Sequence, residues 1–176
     1  MEPPSIAIIG IGSLLFSDQG LGMHIIKNLM QQRLPKQVEV IEGGPSGLNL
    51  IPWMDERQKV IFVSAFPSGN VPGTIRRMQP SELESVLKEQ PRSGFKPKPA
   101  KKICETDDSE DEVDHPSDEE ILMETINLAG YLGISPEVVI IGVEPALTEP
   151  GMTLSTTLQK MLPDIITVIK KEISKT

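Results

Sequence analysis

From Ile6 to Ile11 the chain carries no polar side chain, and the run breaks at Gly12. A short, uninterrupted apolar run predicts a strand buried on both faces, as in parallel sheets. Residues 21–34 then place Leu21, Ile25, Ile26, Leu29 and Met30 at helical spacing, and Pro35 ends the pattern. Residues 37–42 predict a second strand that stops at Gly43-Gly44-Pro45, and residues 46–54 a short helix. Residues 59–66, Lys-Val-Ile-Phe-Val-Ser-Ala-Phe, predict a central strand. Residues 72–78 alternate and predict a strand at or near an edge. Ser81-Glu-Leu-Glu84 reads as a capping box opening a short helix. Ser117-Asp-Glu-Glu120 reads as another, opening a helix to about Leu132 with Gly133 as its C′ residue. Its expected apolar positions are Ile121, Leu122, Thr125, Ile126, Leu128 and Ala129. Residues 137–143 predict the last strand. Ser155 is the expected N-cap of a final helix over 156–174, whose stripe of Leu158, Met161, Leu162, Ile165, Ile166 and Ile169 reads as core.

Strands alternating with helices predict an α/β fold. We expect a three-layer sandwich, with a central, mostly parallel, twisted sheet of about five strands and helices on both faces. At 176 residues the chain has the length of one domain. Residues 90–117 interrupt it: a Pro/Lys-rich stretch precedes an acidic block from Glu105 to Asp114. So little apolar surface cannot offset chain entropy, and a disordered, charged insertion is expected there. Ser109 lies in an acidic context that suits phosphorylation, but a solvated charge run is the better explanation of the pattern.

The formal net charge of −8 comes from this region. Residues 105–120 hold ten acidic and no basic residues, and the rest of the chain carries 15 acidic against 17 basic. No basic stripe exists, which speaks against nucleic-acid binding. No apolar run reaches the length of a membrane span. The single cysteine, Cys104, excludes a disulfide framework, lies in the insertion, and fits a cytoplasmic protein.

Candidate chemistry collects where strands end, since open α/β sheets build sites at the carboxyl ends of their strands. Gly10-x-Gly12 begins like a dinucleotide fingerprint, but Leu15 stands where the third glycine belongs, so no nucleotide cofactor is expected. Asp18, Gln19 and Gly20 follow the first strand and Glu42 closes the second. Glu42 serves either a site or the neighbouring loop amides. His24, just inside the first helix, reads as a partly buried helix residue or as a ligand.

The stretch Gly10-Ile-Gly-Ser-Leu-Leu-Phe-Ser-Asp-Gln-Gly-Leu-Gly22 resembles the opening motif of the nickel–iron hydrogenase maturation proteases, Gly-x-Gly-Asn-x-Leu-x-x-Asp-Glu/Asp-Gly-x-Gly. Glu42-Gly-Gly-Pro-Ser-Gly-Leu-Asn-Leu50, the strand ending Val63-Ser-Ala65, Pro72-Gly-Thr74 and the Val143-Glu-Pro145 region resemble later family segments in the same order. The resemblance implies the fold above. It also implies a cytoplasmic endopeptidase that trims the C-terminal region of a metalloenzyme (hydrogenase-like) large-subunit precursor after nickel loading. Nickel then belongs to the substrate, and no cofactor is expected to bind tightly.

Carried over position by position, the family's metal-engaging residues fall on Gln19, Ser64 and Asp118, with His115 as an alternative to Asp118. The family has an acidic residue, an aspartate and a histidine there. Ser13 likewise replaces the family's asparagine. A neutral amide and a hydroxyl are poor ligands for a borderline divalent ion. The expectation is a divergent member with weakened or lost nickel-dependent activity. Two rivals stay open. One is an active hydrolase with a relocated acid/base group at Asp18, Glu42 and Asp118, joined by His24 or His115. The other is a non-catalytic assembly factor docking through its acidic insertion.

Overall fold

The computed structural model describes residues 5–45, 47–89 and 117–175. Five strands form one sheet: β1 (Ile6–Ile11), β2 (Val38–Gly44), β3 (Lys59–Ala65), β4 (Ile75–Met78) and β5 (Glu137–Val143). Their spatial order is β2-β1-β3-β5-β4. The first four run parallel, with Ile8 opposite Val40 on one side and Ile61 on the other. Only β4 runs antiparallel, along β5, and it forms an edge as its alternating pattern predicts. The helices are α1 (Leu21–Met30), α2 (Ile51–Met54), α3 (Pro80–Glu89), α4 (Asp118–Tyr131) and α5 (Thr156–Ile173), with 3-10 turns at Ser17–Gly20 and Leu48–Leu50.

The period-two alternation of the strands divides the core. Ile6, Ile8, Ile61, Val63, Val139 and Ile141 face α1 and α5. Ala7, Ile9, Ile11, Val60, Phe62 and Ile140 face α2, α3 and α4. A sheet buried on both faces needs apolar residues at every position, so its strands read as continuous runs. The α5 stripe is core as expected, with Leu158, Ile165, Ile166 and Ile169 buried.

Four local expectations are corrected. First, α1 ends at Met30 rather than 34: Gln31 and Gln32 donate to carbonyls three residues back, a tightening turn before Pro35. Second, β2 continues through Gly43 to Gly44, because Ile11 pairs with Gly44 across a register shift. Third, α3 starts at Pro80, and its reciprocal cap is not Ser81 with Glu84. Instead Glu82 reaches back to accept from the Gln79 N–H at 2.7 Å, and Glu84 pairs with Lys88. Proline is favoured in the first turn, which moves the cap from Ser81 to Gln79, two residues upstream. Fourth, on α4 Met123 is buried while Leu128 is exposed.

The Ser117 capping box is present in full: Ser117 Oγ accepts from the Glu120 N–H and the Glu120 carboxylate accepts from the Ser117 N–H. Gly133 and Ile134 close the other end by donating to Gly130 and Ala129 carbonyls, a Schellman ending. The expected insertion, Cys104 and His115 lie outside the described residues.

Candidate functional site at the carboxyl edge of the sheet

Four loops meet where the parallel strands end. The loop after β1 turns at Gly12, with φ 125°, and comes so close to the next turn that a Cβ there would lie 1.9 Å from the Gln19 carbonyl oxygen. Gly22 does the same work one helical turn later: its added Cβ would lie 2.4 Å from the carbonyl oxygens of both Ile11 and Val63. The glycines of the opening motif are therefore packing requirements. They let the Ser17–Gly20 turn and the start of α1 sit directly on the ends of β1 and β3.

Asp18 in that turn is completely buried. Its Oδ2 accepts from the Ala146 and Leu147 N–H groups at 2.8 and 2.9 Å, and its Oδ1 from the Ser155 N–H at 2.7 Å. A carboxylate can be buried without a cation only if such donors replace water. Around it, Asp18 N–H donates to Leu147 O, Ser17 N–H to Gly151 O, Gly151 N–H to Leu15 O, and Ser17 Oγ to Glu149 O. Ser17 adopts φ 45°, a left-handed conformation that this net of bonds holds in place. Together these contacts clamp the β1–α1 loop to the β5–α5 loop.

Glu144, at the end of β5, plays the same part on the other side. It is buried, and its carboxylate accepts from the Ser68 N–H and Oγ–H and from the Gly69 N–H. It thereby fixes the β3–β4 loop. Sequence reasoning did not single out Glu144. The available signal was a carboxylate placed directly after a fully apolar strand and before a proline, at the end of the sheet where sites form.

The positions carried over from the resemblance behave differently from these two carboxylates. Gln19 is half-buried on the clamped turn, over Gly12. Ser64 is buried near the end of β3, opposite Gly142. By the strand alternation it points to the face covered by α4. Asp118 opens α4 and is half-buried, lining a narrow crevice with Ile11, Pro45, Gly47 and Ile121. Burial raises its carboxyl pKa above the usual range. The crevice is tight because a Cβ on Gly47 would fall 2.2 Å from Ile121 Cγ2. Among the described residues, the side chains of Gln19, Ser64 and Asp118 form no hydrogen bond or ion pair, whereas Asp18 and Glu144 have spent theirs.

Next to Asp118 on the helix, Glu119 is buried, and its pKa is pushed up to about 7. Burial is the main cause. Its own backbone N–H and Ser117 oppose the shift, and the neighbouring Asp118 and Glu120 charges add to it. Glu42 is exposed on β2, beside Gly10, and its carboxylate accepts no hydrogen bond among the described residues, so it does not brace the loop amides. His24 is a half-buried helix residue whose Nε2 is buried without a partner. Burial first, and Lys27 second, lower its pKa and favour the neutral ring. Among the described residues, no three His, Cys, Asp or Glu side chains are grouped to hold a metal ion. The three carried-over positions thus present a neutral amide, a hydroxyl and one carboxyl, beside loops held by the buried carboxylates of Asp18 and Glu144. No helix among the described residues is long and apolar enough to cross a membrane.

Comparison with known proteins agrees with this geometry. Residues 23–93 match the family model described as hydrogenase maturation protease. A candidate hydrogenase maturation protease of Methanocaldococcus jannaschii is 39% identical over 90 residues, which cover 50% of this chain and 58% of that protein. The hydrogenase 2 maturation protease of Escherichia coli is 32% identical over 84 residues, covering 47% and 51% respectively. The chain thus spans about half the length of the curated relatives it matches. The solved structure of the E. coli hydrogenase-maturating endopeptidase HybD superposes with a TM-score of 0.76, at 22% identity, over 97% of this chain and 92% of that one. That likeness shows a shared fold, and about half of the chain is similar in sequence to hydrogenase maturation proteases.

Proposed function

We propose that the chain engages the C-terminal region of a hydrogenase-like large-subunit precursor at the carboxyl edge of its sheet, with weakened nickel-dependent endopeptidase chemistry. One observation carries this reading. Among the described residues, Gln19, Ser64 and Asp118, at the positions carried over from the resemblance, have uncommitted side chains beside two fully committed carboxylates, Asp18 and Glu144. The scaffold that would present a ligand set is intact, while the set itself offers one carboxyl in place of two carboxylates and an imidazole. Affinity for a borderline divalent ion follows ligand type and charge, so the nickel carried by a substrate is held poorly here. The partner is then recognised chiefly through its polypeptide.

Nickel titration calorimetry tests the proposal on the native chain beside a Gln19→Glu/Ser64→Asp/Asp118→His variant. The variant is expected to bind nickel at least about tenfold more tightly, the effect of restoring one charge-assisted contact or more. A precursor-cleavage assay with a nickel-loaded large subunit completes the test. The native chain is expected to bind the precursor and to cleave it more slowly than the variant. Equal nickel affinity, or equal cleavage rates, would remove the basis of the proposal.

A further inference from the structure

A second concavity lies on the β4 side of the molecule, away from the Asp118 crevice. It measures about 590 Å³ and is lined by Ser68, Asn70 and Thr74 from the β3–β4 loop, Arg76 from β4, and Val86 and Glu89 from α3. That size falls within the range of small-ligand sites. Its polar groups are held in place. Glu144 fixes Ser68 and Gly69, Asn70 Nδ2 donates to Ser68 Oγ at 2.7 Å, and Thr74 Oγ1 donates to the Val71 carbonyl at 2.6 Å. Gly73 N–H and the Thr74 carbonyl bond to Glu144's backbone on either side of the loop's end.

Among the described residues, Arg76 is the one cation of this lining. It pairs in register with Gly142, whose missing side chain makes room for Phe66: a Cβ there would lie 2.7 Å from the Phe66 Cβ. The guanidinium carbon lies 5.9 Å from the Phe66 ring centre. Stacking of this kind orients the planar fork without consuming its N–H donors. Among the described residues Arg76 has no carboxylate partner, whereas Arg77 beside it is paired to Glu172. A half-buried, oriented and unpaired guanidinium in a pre-formed concavity is suited to a planar carboxylate.

Glu89 limits what that carboxylate belongs to. Its negative charge in the same lining disfavours a dianion such as phosphate and favours an N–H donor beside the bound group. We propose that this concavity binds a monocarboxylate flanked by an N–H donor, with Arg76 gripping the carboxylate and Glu89 facing the N–H. Two sources share that chemistry: a free α-amino acid and the C-terminal residue of a polypeptide. The proposal stands apart from the reading of the Gln19, Ser64 and Asp118 edge and needs no enzymatic activity to test.

The test is an NMR titration of the native chain with glycine, N-acetylglycine and inorganic phosphate. Glycine represents the free amino acid, and N-acetylglycine the chain terminus, since its N–H is an amide. We expect saturable shifts for glycine or N-acetylglycine, with a dissociation constant of about 1 mM, a value usual for so small a ligand. The shifts should centre on the amides of Ser68 to Thr74 and on the Arg76 side-chain N–H. Saturation by N-acetylglycine alone assigns a polypeptide terminus, and saturation by glycine assigns the free amino acid. Arg76→Gln should weaken binding at least about tenfold, and Arg76→Lys should recover only part of it, because the fork is lost. Absence of saturable shifts with both carboxylates, or tighter binding of phosphate than of either, would overturn the proposal. That readout comes from the native protein and does not depend on any variant folding.

Discussion

At the scale of single residues, the buried carboxylates Asp18 and Glu119 act in opposite ways. Asp18 is stabilising because three backbone N–H groups point at it. Asp18→Asn would set an amide N–H₂ against those donors and is expected to destabilise by about 2–4 kcal/mol, read as a lower urea midpoint. Glu119 is the opposite case. With its folded pKa raised to about 7, the native state holds a proton that the unfolded chain has released. Stability therefore falls as pH rises from the ordinary carboxylate range to about 7, and stays low above it. Glu119→Gln should remove that loss, stabilising by about 1–3 kcal/mol at pH 8 and little at pH 4, in urea melts at the two pH values. Asp118 lies in the same buried first turn, and the motif comparison that placed it beside the site said nothing of its raised pKa. Hydration is a property of the packed crevice, which no local stretch of sequence encodes.

At the scale of elements, caps and turns were legible where the signal was local. Ser117 and Glu120 satisfy each other within four residues, so their pattern was readable before any packing was known. Ser117→Ala is expected to cost about 1 kcal/mol and to loosen the start of α4, where Asp118 stands. Hydrogen exchange at Glu119 and Glu120 would register that fraying. The Ser81 signal misled because Pro80 also competes for the first turn, and Gln79 with Glu82 won. The glycines were legible as turn formers, yet their real constraint is long-range. Gly22 is helical, and it is required by carbonyls of β1 and β3. Gly22→Ala should cost about 1–3 kcal/mol despite the better helix propensity of alanine, as a thermal melt would show.

At the scale of the whole molecule, the mostly parallel sheet and its two-sided core followed from apolar runs alternating with helices, while the strand order did not. What pattern could not show is the ion network at the opposite, amino end of the sheet. Glu172, only 2% exposed, receives Lys59, Arg77 and Lys175, and Lys59 also approaches Glu137. Lysine at a strand start and glutamate in a last helical turn each look like surface residues. They become partners only because α5 returns 113 residues later to lie against β3. The hydrogen bond from Arg77 holds the Glu172 carboxyl well below the usual range, against its burial and with help from Lys175 and Lys59. Its contribution is therefore complete above the ordinary carboxylate pKa and is lost as pH falls through the depressed value. Glu172→Gln leaves buried Lys59 with Glu137 as its remaining carboxylate among the described residues and should cost about 3–5 kcal/mol at neutral pH. The penalty should shrink in strong acid, measured as the difference in denaturation midpoints between native and variant proteins.

The Asp18 clamp also sets the order in which this protein can be completed during synthesis. The opening motif leaves the ribosome well before the donors that seat it, Ala146, Leu147 and Ser155, which are made some 130 residues later. Until then Asp18 has only water to satisfy it, and the turn carrying Gln19 lacks its support. A nascent chain that already contains β1, β2 and β3 accordingly has an unclamped opening turn, and the clamp is complete only when Ser155 has been reached. Ribosome-bound chains stalled before residue 144 should leave the opening loop open to protease, and chains released after residue 173 should protect it.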